Sequence, residues 1–94
     1  MATVGNNRKF RKILAVTPDG ALTATVKFDD GTVRIFDALA FRQGLKSTEF
    51  TAPLFDAETF KRAEAKGGNL VWPNGFDLWG QDIYENSPPS ANFG

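Results

Sequence analysis

The sequence predicts a small α+β domain, built as an antiparallel sheet with one or two helices packed on one of its faces. Residues 22–28 alternate apolar and polar side chains and run into Asp-Asp-Gly, which indicates a hairpin. Residues 70–78 contain Asn-Gly between two apolar runs, which indicates a second hairpin. Asp56 precedes a segment with acidic residues early and basic residues late, a charge order that favours a helix.

The first hairpin is preceded by a strand predicted over residues 9–16 and a turn at Thr17-Pro18-Asp19-Gly20. We expect Asp30-Gly31 to form a two-residue loop, which would place the apolar residues of both strands on one face. The resulting cross-strand pairs are Phe28 with Val33, Val26 with Ile35, and Lys27 with Arg34.

Two helices are expected between the hairpins. Asp37 is a suitable N-cap for a short helix over residues 38–43, which Gly44 would end. Asp56 is the N-cap of a longer helix, predicted to run to residue 66 and to end at Gly67-Gly68. The apolar stripe of the longer helix is narrow, so it should lie on the sheet.

The second hairpin is expected to turn at Asn74-Gly75, since both residues tolerate the positive φ of a type I′ turn. A helical turn follows around residues 81–84. The side chains expected to be largely buried by these elements are Leu22, Val26, Phe28, Val33, Ile35, Phe60, Val71 and Trp72.

Composition and length bound the protein class. The 94 residues are 41% hydrophobic with nine Phe and two Trp, which is enough for one core. We expect one domain over residues 9–85, between a flexible N-terminus (1–8) and a flexible tail (86–94). Absence of Cys excludes disulfides, and no apolar run is long enough to span a membrane, so we expect a cytoplasmic protein.

The order of these motifs resembles the short prokaryotic proteins of the domain of unknown function 2442 family. The residues that carry the resemblance span roughly 10–84 and are Val26-Lys27-Phe28-Asp29-Asp30-Gly31-Thr32-Val33, residues 50–54 with Asp56 and Phe60, residues 68–78, and Ile83-Tyr84. Trp79-Gly80 stands where relatives often carry a polar cap. The resemblance implies a small α+β fold without established activity, and an accessory or antitoxin-like role.

The sequence is compatible with two kinds of binding partner, a protein or a nucleic acid. Trp79 at an element boundary, with Phe93 in the tail, could contact a protein partner, either another protein or a second copy of the chain. Alternatively, the basic N-terminal half could bind nucleic acid. Residues 1–47 carry eight Lys or Arg against four Asp or Glu. The candidate cations are Arg8, Lys9, Arg11, Lys12, Lys27 and Arg34. The zero net charge of the whole chain favours the protein partner.

No catalytic residues, metal ligands or cofactor are expected. The chain has no His, the usual general base, and no Cys. Asp29, Asp30 and Asp77 lie at or beside predicted turns, where carboxylates usually accept backbone hydrogen bonds. Asp82 and Glu85 add only a loose acidic cluster. We therefore expect a non-enzymatic protein.

Overall fold

The computed structural model describes residues 11–87 and confirms a small α+β fold. The expected flexible segment 1–8 and most of the expected tail 86–94 lie outside the described residues. The first antiparallel sheet contains β1 (Ile13–Pro18), β2 (Thr23–Phe28) and β3 (Val33–Asp37), in that order.

A second three-stranded antiparallel sheet follows, with β4 (Glu64–Lys66), β5 (Asn69–Val71) and β6 (Asp77–Leu78) in order. The helices among residues 11–87 are short: α1 (Ala38–Phe41), a 3-10 turn (Ala52–Leu54), α2 (Ala57–Phe60) and α3 (Gly80–Glu85).

The register predicted for the first hairpin is wrong by one residue. Val26 lies opposite Arg34, and Lys27 lies opposite Val33. The loop has three residues, Asp29-Asp30-Gly31, because the amide of Phe28 donates to the carbonyl of Thr32. A three-residue hairpin loop ends on a residue in the left-handed region, and Gly31 has φ +89°. The one-residue shift exchanges the two faces of β3.

The exchange changes which side chains of β3 face the core. Phe36 is buried opposite Ala24, while the predicted core residues Val33 and Ile35 lie on the other face and are half-buried. The predicted burial of Val26, Phe28, Phe60 and Trp72 is confirmed, and each is at most 2% exposed. Leu22 and Val71 are half-buried, so their predicted burial is only partial.

The second hairpin has the same loop geometry. Trp72 donates its amide to the carbonyl of Phe76, which leaves Pro73-Asn74-Gly75 as a three-residue loop. Gly75 has the predicted positive φ (+92°), but Asn74 does not, so the type I′ turn is wrong. The Asn74 side chain accepts from the amide of Phe76 and donates to the carbonyls of residues 49 and 50. The loop therefore also holds in place the segment around residues 49 and 50, which connects α1 to the 3-10 turn.

The predicted helix over residues 56–66 is wrong beyond its first turn. Asp56 caps α2 as expected by accepting from the amide of Thr59. The chain then leaves the helix, and Glu64–Lys66 pairs with β5 as an edge strand. Short helices gain little stability from local bonds, so pairing with β5 outweighs the charge pattern. The helix predicted at 38–43 is present as α1 but ends at Phe41, and the helical turn predicted at 81–84 lies within α3.

The core is a row of aromatic rings between the sheets. Phe60 lies 6.0 Å from Phe36 and 6.2 Å from Trp72, measured between ring centroids, and Trp72 lies 5.5 Å from Phe76. The indole nitrogen of Trp72 donates to the carbonyl of Phe60 at 3.0 Å, so its one polar group is satisfied. Trp72 is thus a core residue, as its strand position predicts.

Replacing Gly75 with Val should lower the free energy of unfolding by about 1–2 kcal/mol, because a β-branched residue is strained at positive φ. No atom lies within 4 Å of a Cβ built at this position, so the cost is one of backbone conformation alone. Urea denaturation measures it, with Gly75→Asn as the control, since Asn tolerates positive φ better. Equal stability of both variants and the wild type would contradict this geometry.

Candidate functional site

The indole of Trp79 lies beside an open cleft of about 280 Å³ between the start of β1 and the β4–β5 turn. Trp79 is 63% exposed, the largest exposed fraction among the exposed large apolar side chains of residues 11–87. The other residues lining the cleft are Arg11, Lys12, Gly67, Gly68, Asn69 and Gln81. An exposed Trp at the edge of a concave surface is typical of a contact site.

The backbone that carries Trp79 is fixed on several sides. The amide of Gly80 donates to Oδ1 of Asn69 at 2.9 Å, and the carbonyl of Trp79 accepts from the amide of Ile83 at 3.2 Å. A Cβ on Gly80 would lie 2.7 Å from the carbonyl oxygen of Arg11 and still closer to that of Gly68. Gly is therefore required for this close approach of three backbone segments.

The same junction joins β1 to the second sheet. The amide of Arg11 donates to Oε1 of Gln81 at 2.7 Å, and the amide of Ile13 donates to the carbonyl of Gly68 at 2.8 Å. These bonds link the start of the first strand to α3 and to the β4–β5 turn, and Gln81 is only two residues after Trp79. The indole is thus presented by a braced junction of the fold.

Lys12 supplies an exposed cation to the cleft. Its aliphatic stem runs along Gly68, where a built Cβ would come within 3.0 Å of the Lys12 Cγ. Because Gly68 has no side chain, there is room for the Lys12 stem beside it.

Strand register places a second cation on the same side. Lys66 lies opposite Asn69, and Leu70 lies opposite Leu78. Continuing the second register by one residue sets Trp79 opposite Asn69. Directly opposed residues share a face, so Lys66, Asn69 and Trp79 lie in one row across the outer face of the second sheet.

Arg11 and Arg34 are both engaged within the fold, around Tyr84. The guanidinium of Arg11 lies 3.5 Å from Asp29 and 3.6 Å from Asp30. The guanidinium carbon of Arg34 lies 3.8 Å from the Tyr84 ring centroid, and its Nη1 donates to the carbonyls of Tyr84 and Ser87. The Tyr84 hydroxyl donates to Asp30 at 2.8 Å. These contacts tie the first hairpin loop to α3.

Asp30 is the acidic centre of this cluster. Hydrogen bonds from the Thr32 hydroxyl and the Thr32 amide lower the pKa of Asp30 from 3.8 to about 2, with smaller contributions from Tyr84 and Arg11. The charged carboxylate accepts these bonds more strongly than the protonated acid would, so ionisation of Asp30 stabilises the cluster.

Comparison with known families matches residues 13–89 to the model described as "Protein of unknown function (DUF2442)". The chain belongs to this family. This match confirms, over most of the chain, the family membership that the sequence motifs indicated. No curated protein and no solved structure gives a significant match.

In this DUF2442 protein, the structure brings Trp79 and Lys12 together, two residues that the sequence had assigned to different functions. Lys27 lies on the outer face of the first sheet, opposite Val33. Arg8, Lys9 and Phe93 lie outside the described residues. Sequence reasoning missed the Gly67-Gly68 turn, Asn69 and Gln81, because the two glycines were interpreted as a helix end.

The acidic candidates do not converge. Within residues 11–87, no group of three or more His, Cys, Asp or Glu side chains is placed to hold a metal ion. Asp29 and Asp30 face Arg11, and Asp77 is exposed on β6. No helix in this part of the chain is long and apolar enough to cross a membrane.

Replacing Gly80 with Ala should destabilise the protein by roughly 1–3 kcal/mol, because the new methyl group would collide with two backbone carbonyls. Helix propensity alone predicts the opposite sign, a gain of about 1 kcal/mol. Chemical denaturation distinguishes the two, with Asp82→Ala as the control within the same helix. A stabilised Gly80→Ala variant would contradict the close approach at this junction.

Replacing Asp30 with Asn should lower stability at pH 7. Because the folded-state pKa of Asp30 is lowered, to about 2 from 3.8, its stabilising contribution is present above pH 3.8 and is lost as the pH falls towards 2. The stability difference between wild type and Asp30→Asn should therefore shrink over that range. Denaturation at several pH values measures it, and carboxyl NMR should show Thr32→Val raising the Asp30 pKa. A difference independent of pH would contradict this account.

Proposed function

We propose that this protein is a non-catalytic interaction module that binds a protein partner through the Trp79 cleft. The observation that carries the proposal is the exposure of Trp79 on a backbone braced by Asn69, Gly68 and Arg11. Trp is enriched among residues that dominate binding energy. A side chain held by a rigid backbone loses less conformational entropy on binding than one on a flexible segment.

The concave surroundings of Trp79 indicate that its exposure marks a contact site, and is not just that of a single apolar side chain on the surface. Single exposed apolar side chains are common on protein surfaces and need no function. Trp79 differs because it borders a cleft, whose other lining residues are Arg11, Lys12, Gly67, Gly68, Asn69 and Gln81. Such a cleft can accept a partner side chain against the indole. The accessory or antitoxin-like role that the family resemblance suggests would be one form of this binding.

Nucleic-acid binding is the second candidate, and the pairing of Trp79 with Lys12 favours it. An aromatic ring beside a cation can stack on a base and contact a phosphate. Two of the predicted cations, Arg11 and Arg34, already make the internal contacts around Tyr84, which weakens this alternative. Nucleic-acid binding would show itself by an affinity that falls steeply with salt concentration.

Photo-cross-linking in the native host tests the proposal. A photoreactive amino acid at position 79 should capture one discrete protein, while the same group at position 39 should not. Leu39 is the matched control, since it is 50% exposed and does not line the cleft.

The captured partner, once purified, should bind Trp79→Ala at least ~30-fold more weakly than wild type, since truncating an interface anchor costs about 2 kcal/mol or more. Leu39→Ala should bind as wild type does, and circular dichroism should show both variants folded. Equal capture at positions 79 and 39, or unchanged affinity of Trp79→Ala, would show that the cleft is not the contact site.

A further inference from the structure

We propose that the Trp79 cleft takes a partner segment in which an apolar side chain lies next to an Asp or Glu. The apolar side chain would pack on the indole, and the carboxylate would face Lys12 and Lys66. This inference rests on the proposed function and adds the chemistry of the partner.

The residues lining the cleft include two cations and no carboxylate. The guanidinium of Arg11 is directed to Asp29 and Asp30, which leaves Lys12 as the exposed cation among them. Lys66, also exposed, lies opposite Asn69 in the row that contains Trp79. The carboxylates that contact lining residues are held within the fold, since Asp29 and Asp30 pair with Arg11 and Glu85 accepts from Nε2 of Gln81. Lys12 therefore borders the cleft beside the indole, and Lys66 lies beyond Asn69 in the same row.

The opposite end of the same sheet face carries the opposite charge. Glu64 and Asp77 both lie opposite Val71, on the face that Lys66, Asn69 and Trp79 share. The face is therefore positive around Trp79 and negative two residues further along the strands. A partner carboxylate is favoured only at the Trp79 end, and this charge gradient fixes the direction in which a segment can lie.

The two kinds of contact should have separable effects. The indole and the cleft beside it offer apolar area that a partner side chain can desolvate, so Trp79 should determine most of the affinity. Exposed lysines at the edge of an interface contribute mainly to selectivity and to the association rate. Reversal of their charge should therefore reverse the charge preference and leave the apolar requirement unchanged.

A display library of random 12-residue peptides tests this inference on the full-length protein, with counter-selection on Trp79→Ala. Enriched peptides should share an aromatic or aliphatic residue within a few positions of Asp or Glu. One enriched peptide, synthesised with a fluorescent label, should bind Lys12→Glu/Lys66→Glu at least ~10-fold more weakly than wild type. Its counterpart with Lys in place of the acidic residue should bind that variant better than it binds the wild type.

The matched control is Lys27→Glu/Lys46→Glu, which changes the net charge equally with two exposed lysines that belong neither to the cleft nor to the row of Lys66, Asn69 and Trp79. It should bind the labelled peptide within about twofold of wild type. An equal loss in both double variants would mean a general charge effect and would overturn the inference. So would enrichment of basic or uncharged peptides, or no enrichment over Trp79→Ala.

Other occupants give distinct results. A wild-type dimer in sedimentation that Trp79→Ala dissociates would identify a second copy as the occupant. Displacement of the labelled peptide by a single-stranded oligonucleotide at low salt only would favour nucleic acid. If the cross-link at position 79 captures a protein whose linked segment lacks Asp and Glu, this inference is wrong while the proposed function stands. If that cross-link captures nothing, the proposed function itself fails.

Discussion

The close approach of three backbone segments at Gly80 is the constraint on which the arrangement of this protein depends. The carbonyls of Arg11 and Gly68 both lie where a side chain at position 80 would be. Ile13 and Gly68 are joined by a backbone hydrogen bond at the same place. This junction sets the first sheet against the second, and it also fixes the start of α3.

The junction explains why two tryptophans in one small domain have opposite environments. Trp72 lies in the aromatic row between the sheets, with its indole nitrogen bonded to the carbonyl of Phe60. Trp79 follows the last strand, and the contacts of Gly80 turn the chain there into α3. The indole of Trp79 is consequently left on the outer face, 63% exposed. The same packing that completes the core thus presents the candidate contact site.

Local sequence patterns predicted where hairpins and turns occur better than they predicted which residues pair across the strands. Both hairpins were evident because Gly31 and Gly75 end their loops at positive φ. The register of the first hairpin and the turn type of the second were wrong because a Gly-ending loop of three residues has almost the same sequence pattern as one of two. Strand β4 was mistaken for helix, since Glu64–Lys66 becomes a strand only by pairing with β5. Trp79 could be named from its position, whereas its place beside Lys12 and in one row with Lys66 depends on pairing across the chain.

The central claim is that a braced junction holds the backbone that carries the Trp79 indole in a fixed position. Backbone ¹⁵N NMR relaxation of the native protein tests it most directly, because order parameters separate rigid from mobile amides on the ps–ns timescale. The account predicts values of about 0.85 at Trp79 and Gly80, equal to those of the core strands. Values below about 0.6 at these two amides would show a mobile segment and contradict the account.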